Sequence, residues 1–161
     1  MAKVYSFFLF AAAAACFLST LAISNAAPDF IIQGRVYCDT CRAGFETNVT
    51  KYIEGAKVKV VCRNDTTGEM TYSGNGVTDS SGTYNLEVDN DHEEEICQVE
   101  LVESPLEDCK EVRDGMNRAR VVLTNNMGIV SNIRYPNSLG FFKSTPLPGC
   151  HELLDSYFLE G

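Results

Sequence analysis

The chain carries seven cysteines, and six of them fall in one stretch: Cys38, Cys41, Cys62, Cys97, Cys109 and Cys150. The seventh, Cys16, lies in an apolar run from Val4 to Leu18 that follows a single early charge, Lys3. Small residues, Ser24-Asn25-Ala26-Ala27, come next, ahead of Pro28-Asp29. A basic start, a short apolar centre and a small-residue end read as a secretory signal peptide over residues 1–26, with cleavage at Ala26 or Ala27. The run is short for a bilayer span of about 20 apolar residues, and no later segment is apolar enough to span. Cleavage at Cys16, as in a bacterial lipoprotein, would fall inside the apolar centre. Residues 27–161 suit one domain in the extracellular space. Six cysteines in a secreted chain of this size predict three disulfides.

The pattern between the cysteines is short alternating runs broken by turn residues, which reads as all-β. Strands are expected over Phe30 to Tyr37, Ala56 to Cys62, Met70 to Ser73, Thr83 to Val88, Ile96 to Val102, Arg118 to Leu123 and Ile129 to Tyr135. Asp79-Ser80-Ser81-Gly82 has Asp and Gly where tight turns favour them. About seven short strands at this spacing predict an antiparallel sandwich or partly open barrel. A short C-terminal helix is expected over Cys150 to Leu159. Cys150, Leu153, Leu154, Tyr157 and Phe158 recur there at helical spacing, after the breaker Pro146-Leu147-Pro148-Gly149. Its own propensity is too weak to hold it, so Cys150 is expected to pin it.

Val58, Val60 and Cys62 share one strand face, and Cys97, Val99 and Leu101 share another. Both faces point to the core, so Cys62 and Cys97 are expected to pair. Six cysteines allow 15 pairings, and fixing this one leaves three. One of the three closes Cys38-Asp39-Thr40-Cys41 on itself, and the other two send Cys38 and Cys41 to Cys109 and Cys150. A redox C-x-x-C normally opens a helix, whose dipole lowers a thiol pKa. Here Cys41-Arg42-Ala43-Gly44-Phe45 leads into no amphipathic pattern. A zinc site would need two further close ligands, and His92 and His151 are far apart in sequence. The oxidising compartment favours two separate bridges over either.

Charge excludes other classes. Without Lys3, 12 Lys and Arg face 22 Asp and Glu, a net charge near −10. Nucleic-acid binding needs basic clusters, so it is not expected. No catalytic motif stands out. His92 sits in Asp89-Asn90-Asp91-His92-Glu93-Glu94-Glu95, read as a solvated acidic loop. An EF-hand would need Gly at its sixth position, and Glu94 stands there. Carboxylate pairs for sugar hydrolysis are available in any acidic chain, and composition selects none. Of Phe141 and Phe142, one is expected to point inward and the other is free to act as an exposed anchor. No catalytic, cofactor or metal residue is assigned. Two sequons, Asn48-Val49-Thr50 and Asn64-Asp65-Thr66, offer N-glycosylation at Asn48 and Asn64.

The run Gln33-Gly34-Arg35-Val36-Tyr37-Cys38-Asp39-Thr40-Cys41-Arg42 resembles the signature of the olive major pollen allergen family (Ole e I type, pollen allergen and extensin family). "GVTDSSGTY" from Gly76, "DHEEEICQVELVESPLEDC" from Asp91, "LGFFK" from Leu139 and the cysteine order extend the resemblance along the mature chain. Within the family, the chain looks most like the pollen-specific secreted members. The family's usual Asn-Pro-Leu is Asn137-Ser138-Leu139 here, which puts a rigid Pro turn in doubt. The resemblance implies a seven-stranded antiparallel β fold with bridges Cys38–Cys109, Cys41–Cys150 and Cys62–Cys97. It further implies a secreted, non-enzymatic pollen glycoprotein and potential allergen. Such a protein would bind a cell-surface receptor kinase or cell-wall component during hydration, germination or tube growth. The competing expectation is an extracellular enzyme or protease inhibitor acting in the wall. Structural attachment in the wall lacks support, since the chain has 5 prolines and no Pro-rich repeat.

Overall fold

The computed structural model describes residues 27–159, so the expected signal peptide lies outside the described residues. Ten strands and one helix follow in order. They are β1 (Phe30–Asp39), β2 (Lys51–Tyr52), β3 (Lys57–Asn64), β4 (Met70–Val77), β5 (Thr83–Val88), β6 (Glu95–Glu103), β7 (Cys109–Glu111), β8 (Arg118–Val121), β9 (Ile133–Arg134), β10 (Leu139–Lys143) and α1 (Cys150–Leu159). Two sheets form, and they are not closed into a barrel. One is an antiparallel sheet in the order β4-β3-β6-β8. The other is built around β1. Its first half lies between β5 and β9, and its second half between β2 and β10, with β7 beyond β10.

The alternation in the sequence becomes the core. Phe30, Ile32, Val36 and Cys38 of β1 face Val58, Val60 and Cys62 of β3, with Tyr84, Leu86 and Val88 of β5 and Val99 of β6 in the same cluster. Lys57 and Lys59 point to the other face of β3, where they pair across the ladder with Glu103 and Glu100 at 2.7 and 2.9 Å. Such exposed cross-strand pairs fix register more than they stabilise, since solvent screens them.

Pairing of β1 with β9 and β10 is parallel, where antiparallel pairing throughout was expected. Alternation reports which face a residue occupies and not strand direction. The extra strands have a physical reason as well. β2, β7 and β9 are two or three residues long, too short for a pattern. In β10, Leu139, Gly140, Phe141 and Phe142 are all buried, so it shows no alternation. The expected strand from Ile129 shrinks to Ile133–Arg134, with Ile129 and Val130 exposed.

Two glycines let tyrosine rings lie flat inside the β1 sheet. Gly34 stands opposite Tyr84, and Gly140 opposite Tyr37. A methyl group on Gly34 would run into the Tyr84 hydroxyl, and one on Gly140 would sit 2.7 Å from Tyr37 Cζ. The ring thus covers the gap left by the missing side chain. At the β4–β5 turn, Asp79 Oδ1 accepts hydrogen bonds from the Ser81 and Thr83 backbone N–H groups at 2.8 and 3.1 Å. Gly82 adopts φ 73° there, and its carbonyl receives the Val36 N–H at 2.9 Å.

Arg134 is buried at the end of β9. Its Nε donates to the Val122 carbonyl at 3.1 Å, Nη2 to the Thr124 carbonyl at 3.1 Å, and Nη1 to the Ser131 carbonyl. The guanidinium lies 4.9 Å over the Phe30 ring. One side chain therefore organises the long loop between β8 and β9 and fastens it to the start of β1.

Gly140→Ala is expected to destabilise the fold by about 1–3 kcal/mol through overpacking against Tyr37, read as a fall of several degrees in thermal midpoint. Burial, with Asp39 and Glu46 adding, pushes the Tyr37 phenol up to about 12, and burial pushes Tyr84 up further. In the unfolded chain both titrate near 10. Their contribution is therefore complete below that value and is lost as pH rises through the folded values. Phenolate absorbance should show delayed ionisation of these two rings, coincident with loss of far-ultraviolet β signal.

Candidate functional site

Cys38-Asp39-Thr40-Cys41 sits where β1 ends. Cys38 is bridged to Cys109 at the start of β7, with Cα atoms 6.0 Å apart. Cys41 is bridged to Cys150 at the start of α1, at 5.3 Å. Asp39 is buried between them, and its carboxylate collects three backbone N–H groups. Oδ1 accepts from Cys41 at 3.2 Å and Ala43 at 3.0 Å, and Oδ2 accepts from Gly44 at 2.7 Å. Thr40 donates its hydroxyl to the Val49 carbonyl at 3.0 Å, while its own carbonyl receives the Leu147 N–H. Arg42, at φ 57°, forks onto Glu111 with bonds of 2.7 and 2.6 Å and also reaches the Lys143 carbonyl. Every polar group of this turn is directed at backbone or at a neighbouring strand. The motif is a structural junction.

Phe142 illustrates the same point. Both Phe141 and Phe142 are buried, which removes the exposed-anchor expectation. Phe141 enters the core cluster, and Phe142 lies under Arg42 and Arg113, whose guanidinium carbons sit 5.7 and 4.4 Å from its ring centre. A cation-covered ring on the outer face escapes pattern reading, because arginine cover looks like exposure in sequence.

The acidic loop differs from its sequence reading too. His92 is 8% exposed, so it is not solvated. Its Nδ1 lies 2.7 Å from Glu95 Oε2, its Nε2 3.2 Å from the Asp89 carbonyl, and its ring packs 5.3 Å from Tyr72. Cys62 and Cys97 adjoin it, facing each other across β3 and β6 with Cα atoms 4.0 Å apart. Their sulfurs lie within 4.8 Å of the His92 and Glu95 ligand atoms. These sulfurs are joined to one another, and His92 and Glu95 are engaged with each other. The cluster closes the end of the β3–β6 ladder.

Carboxyls elsewhere are arranged as acceptors. A hydrogen bond from Arg42 holds Glu111 below its ordinary range, and one from Lys143 does so for Asp108. The Asn125 backbone lowers Asp91, the Ser81 hydroxyl lowers Asp79, and a Lys57 hydrogen bond lowers Glu103. At Glu100 burial acts upward, but the Lys59 hydrogen bond outweighs it. All six displacements run downward, opposite to the raised acid that glycoside hydrolysis requires.

The outward face of β1 and β5 carries an open concavity with a partly polar lining. Gln33 and Arg35 of β1 stand beside Asn85 and Thr83 of β5, and Tyr135, after β9, flanks them at 70% exposure. Gln33 Nε2 donates to Asn85 Oδ1 at 2.9 Å. Neither sequon lies in this trough: Asn48 is exposed in the loop before β2, and Asn64 is half-buried at the end of β3.

The family model described as "Pollen protein Ole e 1 like" matches residues 28–158. The chain belongs to the Ole e 1-like pollen proteins. The maize pollen-specific protein C13 is 57% identical over 127 residues, covering 79% of this chain and 75% of that protein. The tomato anther-specific protein LAT52 is 46% identical over 143 residues, covering 88% and 89%. The crystal structure of the major plantain pollen allergen Pla l 1 superposes with a TM-score of 0.67 at 32% identity, over 75% of this chain and 98% of that one. Relatives in the Ole e 1-like family are thus named as pollen-specific proteins and pollen allergens. No helix among the described residues is long and apolar enough to cross a membrane.

Replacing Cys41 and Cys150 together by Ser is expected to cost about 2–5 kcal/mol. α1 amides should then lose protection in hydrogen exchange while β3 and β6 keep theirs, because Cys150 is the helix's buried residue.

Proposed function

We propose that this chain is a secreted, non-enzymatic pollen glycoprotein that works by binding a partner at the cell surface or in the wall. Candidate partners are a receptor-kinase ectodomain and a wall component. The observation that carries this reading is where the reactive side chains go. The cysteines, Asp39 and His92 are all directed into the scaffold. The displaced carboxyls all move away from general-acid behaviour. A rigid scaffold that keeps its loops free is suited to recognition.

A net charge of −9 leaves an acidic exterior. Such a surface steers towards a basic patch on a partner and makes association salt-sensitive. N-glycans on Asn48 and Asn64 fit this reading, since both stand away from the β1–β5 trough. Membership of an allergen-containing family supports antibody recognition of the same exposed loops.

The test uses the oxidised, full-length mature protein immobilised and exposed to pollen and stigma extracts. A receptor ectodomain or wall component is expected to be retained at low salt and released at high salt. Failure to retain either would overturn the binding reading. Turnover of wall polymers above a heat-treated control, abolished by neutralising one exposed carboxylate, would favour the enzyme alternative instead.

A further inference from the structure

We propose that the outward face of β1 and β5 is a binding site for a neutral, extended oligosaccharide. The inference rests on the partner-binding reading above and names one ligand class for it. The trough beside Tyr135 has a volume of about 480 Å³ and opens to solvent. A second trough of about 640 Å³, lined by Ile31, Tyr72, Asn75 and Glu87, shares Asn85 with the first. Together they form one shallow channel from the loop after β9, across β1 and β5, to β4. A channel of this form suits a linear chain better than a compact molecule, which needs an enclosed pocket.

The lining matches sugar chemistry. Tyr135 presents an exposed ring for the apolar face of a pyranose, since aromatic rings supply large contact area with little ordering. Gln33 and Asn85 are already locked together by one hydrogen bond, so their amides are held in place. Gln33 Oε1 and Asn85 Nδ2 take no other partner among the described residues, leaving an acceptor and a donor for hydroxyl groups. Thr83 and Ser138 add hydroxyls. Arg35 lies over the Tyr52 ring at 4.7 Å, and the lining sets Asp79 and Glu87 against it, so the channel offers no net positive charge to a uronate. The overall negative charge acts against a polyuronide in addition.

A peptide fits less well. Peptides add to an open sheet edge through main-chain bonds, and beside Ile31 and Ile32 both edges of β1 are taken, by β5 and β9. On β1 the channel therefore presents side chains, and the outer edges of β5 and β4, which pair with no further strand among the described residues, lie at its far end.

The experiment titrates the disulfide-intact mature protein with neutral hexasaccharides (cello-, laminari-, xylo- and mannohexaose) and with hexagalacturonate. Amide and side-chain resonances are followed by NMR. At least one neutral hexasaccharide is expected to shift residues 33–35, 83–85 and 135–138, with a dissociation constant below about 1 mM. Tyr135→Ala, at an exposed position, should weaken binding about tenfold or more, and Asn85→Ala should do the same. Saturation with no shift at these positions, binding unchanged in Tyr135→Ala, or preference for hexagalacturonate would each overturn the proposal. Extract capture by the Tyr135→Ala protein separates the two readings. If it still retains a receptor while no hexasaccharide binds the parent protein, the oligosaccharide site falls and the binding function stands.

Discussion

The fold hangs on a four-residue turn whose two ends are tied in different directions. Cys38 reaches 71 residues forward to β7, and Cys41 reaches 109 residues forward to α1. In the chain-entropy account, closing a loop of roughly 100 residues stabilises by about 4–5 kcal/mol, and overlapping loops such as these are less than additive. Asp39 makes the turn possible. Two bridges this close force the intervening backbone into a tight bend, and the bend leaves N–H groups pointing inward. A carboxylate placed between the cysteines accepts three of them. Without it, the buried Cys41 N–H would be left unpaired at a cost of about 1–3 kcal/mol.

β1 turns that anchor into a sheet. Among the described residues it is the one strand that pairs with four others, antiparallel to β5 and β2 and parallel to β9 and β10. Such a strand must be buried along most of its length and yet leave room on both sides. The glycine–tyrosine pairs supply that room, with Tyr84 lying on Gly34 and Tyr37 on Gly140. The outward residues of the same strand, Gln33 and Arg35, are consequently held on a stiff support. Positions on a stiff strand are more exactly placed than positions on loops, which is the physical basis for seeing the channel as a recognition surface.

Sequence reading reached the parts of this molecule that alternate. β3, β5 and β6 were legible because one face is apolar and the other charged, and the partnership of Cys62 with Cys97 followed from those faces. The turn at Asp79 and the helix at Cys150 were legible from their punctuation. What stayed hidden lacked a pattern. β10 is buried on both faces, so its LGFFK reads equally well as loop or core. Strand direction leaves no mark on alternation, hence the unforeseen parallel partners of β1. His92 looked solvated because its neighbours are acidic, but burial there is set by Tyr72 and the β8 end, which are remote in sequence. The β1–β5 channel was invisible for the same reason. Gln33, Asn85 and Tyr135 are unremarkable singly and meet only through strand register.

The order of the bridges along the chain also ties the presence of α1 to the chemistry of β1. Cys62 and Cys97 both precede Cys109, so that pair is complete while much of the chain is still unmade. Cys38 must wait for residue 109, and Cys41 must wait for residue 150. A copy cut short between Cys109 and Cys150 therefore carries an unpaired thiol at Cys41. A full-length copy hides that sulfur under the first turn of α1. The last helix thus works as a seal, and its absence is written as free sulfhydryl chemistry at the other end of the protein.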